Sequence, residues 1–295
     1  MITVLADARR GHRGLYAFAV AMAVLTPVLA VLSVVDDRVL LGVPLWFKPL
    51  KFAISLSLYA ATLSWMLGQL RERTMQRTGW ILTIASAVEM AIIVGQAAVG
   101  HRSHYNVDTP LSAALWYTMG ATIVVLWFAT LAVALRFLRE PGRDRVATTA
   151  VRLGLAVTLI GLAEGFLMAS AGTHTVGLAD GGPGLPFLGW STVGGDLRIA
   201  HFIGMHALQG IPLIAAALVA TRRLGEATRL GLVRVAAAGW TGLVVLLTWQ
   251  ALRAQALLAP DATTLAALGV LVIGTVAAAA AVLATGRRVA APVHA

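Results

Sequence analysis

The chain of 295 residues has no cysteine. Disulfides, thiolate metal sites, iron–sulfur clusters and dithiol redox chemistry are therefore excluded together. Charge is scarce too: Asp, Glu, Lys and Arg make up 12% of the residues against 59% hydrophobic, and the mean hydropathy is +0.83. The short alternating segments of a transmembrane β-barrel are missing. No cleavable signal is expected, because Arg9, Arg10 and Arg13 precede a long apolar run without a clear cleavage site. What is present is a series of apolar stretches of about 20 residues, the length that crosses a bilayer as a helix.

The expected fold is all-α, a polytopic membrane helical bundle forming a single integral membrane domain. Eight transmembrane helices are expected at about 15–35, 45–70, 79–100, 110–138, 148–172, 197–221, 229–255 and 262–286. In this arrangement 17 of the 23 basic residues fall on one side of the membrane. The positive-inside rule then places both termini in the cytoplasm. The net charge of +10 thus reads as a topology signal reinforced by anionic lipid. No nucleic-acid partner is expected, since no surface module combines basic and aromatic residues. The expected partner is the lipid bilayer and the expected location the cell inner membrane.

The connections on the other side are polar. The longest, 171–196, is rich in Gly and Pro, and a loop of that length is either a functional lid or disordered. Thr109 and Pro110 suit the N-cap and first turn of the fourth helix. The tail from Arg287 onward is expected to fray.

Several spans carry polar stripes. Lys48, Lys51, Ser55, Tyr59 and Thr62 recur at three- and four-residue steps, on one face of helix two. Thr83, Ser86, Glu89 and Gln96, at spacings of three, three and seven, share one face of helix three. Helix five carries Glu164, with Gly154 and Gly161 permitting close approach by a neighbour. Helix six opens with Asp196, Arg198, His201, His206 and Gln209. Ionised groups are expensive in hydrocarbon, at least about 2.5–3.5 kcal/mol each on the most lenient scale. Helices two, three, five and six, joined by four, are therefore expected to surround one polar interior, with one, seven and eight peripheral. Helical rise places His101, His104, His174 and His201 near the outer interface, with His206, Glu164, Lys51 and Glu89 about 9–18 Å deep. Glu89 and Glu164 each lead outward to a histidine, twelve and ten residues on, a faint internal echo.

Without cysteine, imidazole is the obvious strong ligand. The leading expectation is therefore haem b or a transition metal ion held for membrane redox chemistry. His201, His206 and His101 are the candidate cofactor ligands, and His101, His104, His174, His201 and His206 the candidate metal ligands. Trp46, Phe52, Trp116 and Phe202 offer aromatic walls. Glu164, Glu89 and Lys51 are the candidate catalytic groups. A quinone or an extracytoplasmic redox protein would be the electron partner. A proton- or ion-coupled transporter of a small solute is one alternative, since buried Lys and Glu serve as relays and counter-ions. A metal-dependent intramembrane hydrolase of a lipid-like substrate, with a carboxylate as base, is the other.

Three family likenesses bear on these alternatives. Eight spans with outward histidines and buried glutamates resemble haem A synthase in outline, although the Glu-to-His spacings here are longer than that family's helical motif. Trp190 with Asp196-Leu197-Arg198 is similar to the external motif of cytochrome c assembly haem handlers, without the run of tryptophans. Ser170-x3-His174 resembles the Ser-x3-His element of ceramidase-like proteins, but His201 and His206 depart from the paired histidines of that group. None covers enough of the chain to assign a family.

Overall fold

A computed structural model describes residues 8–290 except Arg71, Pro141, Arg143 and Arg222, with no side-chain description from Arg287 to Ala290. Of the tail expected to fray from Arg287, residues 287–290 continue the last helix, and the last five lie outside the described part. Among the described residues the chain is all-α apart from two antiparallel pairs of two-residue strands and one isolated bridge. Its helices are α1 (Arg13–Val35), α2 (Phe47–Leu70), α3 (Arg73–Ala98), α4 (Pro110–Arg139), α5 (Arg145–Ala171), α6 (Leu197–Met205), α7 (Ala207–Ala220), α8 (Glu226–Leu252) and α9 (Ala262–Ala290). The strand pairs are β1 (Val39–Leu40) with β2 (Val43–Pro44), and β3 (Thr175–Val176) with β4 (Gly195–Asp196). Among the described residues seven helices are long and apolar enough to cross a membrane. The pair α6–α7, bent by 45°, makes an eighth crossing if taken as one span. This is a multi-pass membrane protein.

The chain forms two compact units. The first comprises Met1–Leu135, Met168–His174 and Ala179–Ser191; the second comprises Arg136–Leu167, Thr175–Leu178 and Thr192–Ala295. The division falls inside α4 and again inside α5.

In the first unit α1, α2 and α3 pack together. The start of α1 is fixed by His12, which is 1% exposed. Its Nδ1 accepts from the Leu15 N–H at 3.1 Å, an N-cap made by an imidazole. Its Nε2 lies 2.9 Å from the Gln76 carbonyl, and its backbone N–H donates to Ser64 Oγ. Nδ1 must accept, so Nε2 carries the proton and donates: the neutral ring satisfies both contacts. Burial pulls this imidazole below its ordinary value, opposed by the Gln76 carbonyl. At the other end of α1, Asp36 accepts from Arg38 Nε and Nη2 and from Trp46 Nε1 at 2.7 Å. These donors hold its carboxyl well below the usual range. Between them Leu41 and Gly42 both take positive φ, the requirement of the tight turn joining β1 to β2. Helix α3 ends with Gly100 at φ 79°, its N–H and that of His101 returning to the Ala97 and Gln96 carbonyls. Thr109 caps α4 as expected, accepting from the Ser112 N–H.

In the second unit small residues govern the approach of α5 to α6. A Cβ on Gly161 would lie 2.5 Å from Gly204 and Met205, so these backbones touch. Asp196 caps α6 by accepting from the Arg198 N–H, and its carboxylate receives Arg198 Nε at 2.9 Å and Nη2 at 2.6 Å. Helices α8 and α9 pack on each other, while Val270 and Ile273 of α9 stay exposed, suited to acyl chains.

The sequence predicts one continuous helix over 197–221; the structure breaks it at His206. In a regular helix the Ile203 and Met205 carbonyls would accept from Ala207 and Gln209. Instead Trp240 Nε1 donates to Ile203 O at 2.9 Å and Thr158 Oγ1 to Met205 O at 3.2 Å, while the Gln209 N–H turns to His206 O. Two neighbouring spans thereby take over carbonyls that the break removes from the ladder, as apolar surroundings demand. Pro212, without an N–H, further loosens the first turns of α7.

Candidate functional site

In the first unit Glu89 of α3 is 2% exposed. Its Oε1 accepts from Thr122 Oγ1 of α4 at 2.6 Å, and Lys48 of α2 lies within Coulombic reach. Ser86 and Gln96 share the buried face of α3, as the stripe predicts, and Ser86 Oγ and Gln96 Oε1 have no hydrogen-bond partner. Lys51 Nζ donates to the Leu188 carbonyl at 2.7 Å. Tyr59 OH meets Thr130 Oγ1 at 2.6 Å.

The histidines of this unit stand in separate settings. His101 is exposed at the end of α3. His104 sits among Phe52, Tyr105 and Trp116, with ring centroids 5.6–6.1 Å away, and its Nδ1 meets Ser103 Oγ at 3.1 Å. His174 Nδ1 lies 3.2 Å from Asp180 Oδ1. The long connection containing Asp180 carries turns of its own, with the Leu185 and Gly189 N–H groups bonded within it.

In the second unit Glu164 of α5 is 7% exposed. Its Oε1 accepts from Thr248 Oγ1 of α8 at 2.7 Å, and its Oε2 has no partner. His201 Nδ1 lies 2.7 Å from the Gly161 carbonyl. A carbonyl only accepts, so Nδ1 carries the proton and Nε2 keeps its lone pair. His206 stands at the break, its Nδ1 3.3 Å from Gln209 Oε1, its ring 4.4 Å from Phe202, and its Nε2 without a partner. His201 and His206 have different partners, as their helical spacing predicts.

One expectation is corrected. The seventh span is not peripheral: α8 supplies Thr248 to Glu164 and Trp240 to the broken helix, and Gln250 is buried on it. Its side chains complete contacts whose other halves lie far away in sequence. Trp46, expected as an aromatic wall, donates its indole N–H to Asp36 Oδ2 at 2.7 Å. Sequence reasoning missed Thr122, Thr248 and His12. The only available signal for the threonines was a hydroxyl within an otherwise apolar run; for His12 it was a polar side chain just ahead of the first helix.

Of the eight residues singled out for chemistry, Lys51, Glu89, His101, His104 and His174 belong to the first unit, and Glu164, His201 and His206 to the second. Among the described residues no group of three or more histidine and carboxylate side chains is placed to hold a metal ion. The five histidines expected as metal ligands are therefore not gathered into one such group. No family model matches the chain, and no curated protein or solved structure matches it significantly.

Proposed function

We propose that this chain is a proton- or ion-coupled transporter of a small solute in the cell membrane, with Glu164 and His206 at its working centre. The observation that carries this reading is the break of a membrane-length segment at a histidine, nine residues or about 13 Å from the start of α6. Broken spans with ionisable groups beside the break are how membrane carriers build midspan sites. Glu164 adds a buried carboxylate with one oxygen unengaged. Glu89, in the first unit, is a second buried carboxylate. Ionisable groups inside spans are costly and are kept for relays and counter-ions. The arginine distribution supports cytoplasmic termini, and a reporter fused after Ala295 should read cytoplasmic; an external signal would reverse the orientation.

The test is solid-supported membrane electrophysiology on proteoliposomes, screened with small anions, cations and zwitterions. A solute-dependent current that grows with an imposed pH gradient is expected. Absence of any such current would remove the reading.

A second reading, haem or metal binding with a quinone or extracytoplasmic redox partner, is favoured by one observation. His201 and His206 both engage Nδ1 and leave Nε2 for a ligand role, the arrangement that orients metal-binding imidazoles. They fit as single axial ligands, not as parts of a three-ligand site. A bound haem would supply one-electron chemistry, and a Soret band in the purified protein would favour this reading. The hydrolase alternative needs several ligands around one ion, and no described group offers them.

A further inference from the structure

The two buried glutamates are held in the same way. Thr122 Oγ1 lies 2.6 Å from Glu89 Oε1 and 2.9 Å from its own helix's Met119 carbonyl. Thr248 Oγ1 lies 2.7 Å from Glu164 Oε1 and 2.9 Å from the Val244 carbonyl. A threonine hydroxyl has one proton and can also accept. Each hydroxyl therefore faces two oxygens with a single proton to give. When the glutamate is ionised, the hydroxyl donates to Oε1 and the backbone carbonyl keeps only its helical bond. When the glutamate is protonated on Oε1, the carboxyl donates to Oγ1, and the hydroxyl turns to the carbonyl. Both protonation states are thus hydrogen-bonded without moving a heavy atom.

We propose that Glu89–Thr122 and Glu164–Thr248 are two proton-loading sites, one in each unit, in which a rotating threonine hydroxyl serves the carboxyl in both of its states. This deepens the transporter reading and rests on it for its purpose, but not for its chemistry. Proton loss sends the carboxyl proton to a hydrogen-bonded water and turns the hydroxyl back to Oε1; loading reverses both moves. Lys48 is the charged group near Glu89. In the second unit His201 stands against the residue that follows Glu164 on α5, its ring 3.6 Å from where a Cβ on Gly165 would stand. In Glu164 the unengaged Oε2 gives the arriving proton a second oxygen on which to land.

Infrared difference spectroscopy of the reconstituted full chain, across the pH range in which it stays folded, tests this. A carboxylic C=O band should appear on acidification, with one component lost in Glu164→Gln and another in Glu89→Gln. Thr248→Ser and Thr122→Ser keep a hydroxyl and should keep band and midpoint. Thr248→Val and Thr122→Val should move the midpoint of the paired glutamate upward by about one pH unit or more, because the ionised state loses the stronger, charge-assisted bond. If valine variants that elute as folded protein titrate like the serine variants, the proposal is overturned. If no carboxyl band titrates in the wild-type protein, it is overturned without any variant. A threonine-dependent titration in a protein that gives no solute-dependent current would uphold the loading sites while the transporter reading falls.

Discussion

At the scale of single residues, neutral His12 holds two secondary-structure elements. Its protonation would place an N–H against the Leu15 N–H and remove the cap. The folded imidazole titrates below the ordinary value of 6.5. Its contribution to stability is therefore present above pH 6.5 and lost as pH falls through the lower folded value. Thermal unfolding in detergent should show wild type losing stability on acidification through this window. His12→Ala should be less stable by about 1 kcal/mol at neutral pH, the usual worth of a cap, and should lack that part of the acid dependence. An unchanged acid profile in His12→Ala would assign the loss elsewhere. Asp36 is the opposite case, held ionised by Arg38 and Trp46, and contributes no titration near neutrality.

At the scale of elements, the sixth span and its glycine contact decide whether the second unit forms. Gly161→Ala puts a methyl 2.5 Å from the Gly204–Met205 backbone, where overpacking costs about 1–3 kcal/mol. Gly269→Ala meets nothing within 4 Å and should be neutral. Thermal unfolding of both variants checks this, and equal stability would deny the close approach. The spans themselves were legible because an apolar run of membrane length has little choice but to be helical. Thr109 was legible as a cap for a local reason, a short polar side chain just before an apolar segment. The break at His206 was not legible. The donors that take over its freed carbonyls, Trp240 and Thr158, come from other spans, and no local pattern ties them to residues 203 and 205. Glu89 and Glu164 could be picked out because hydrocarbon makes any carboxylate conspicuous. Their threonine partners could not, since a threonine in a span more often bonds its own helix, as Thr26 and Thr83 do.

At the scale of the whole molecule, the polar side chains of the spans are distributed over two units, each with its own buried carboxylate and its own histidines. A glutamate on one span accepts from a threonine of another span in each unit, although the partner spans are not equivalent in chain order. The arginines gather toward helix ends and the buried glutamates Glu89 and Glu164 lie within helices, a division that follows from the cost of ions in hydrocarbon. The most direct measurement is the pH-gradient-driven, solute-dependent current of proteoliposomes carrying Glu164→Gln or His206→Ala, beside Val270→Ala and Ile273→Ala on the exposed face of α9. The first two should abolish at least about nine-tenths of the current, a tenfold loss equivalent to about 1.4 kcal/mol, while the α9 variants keep it. Equal currents from all four would overturn the placing of the working centre at Glu164 and His206.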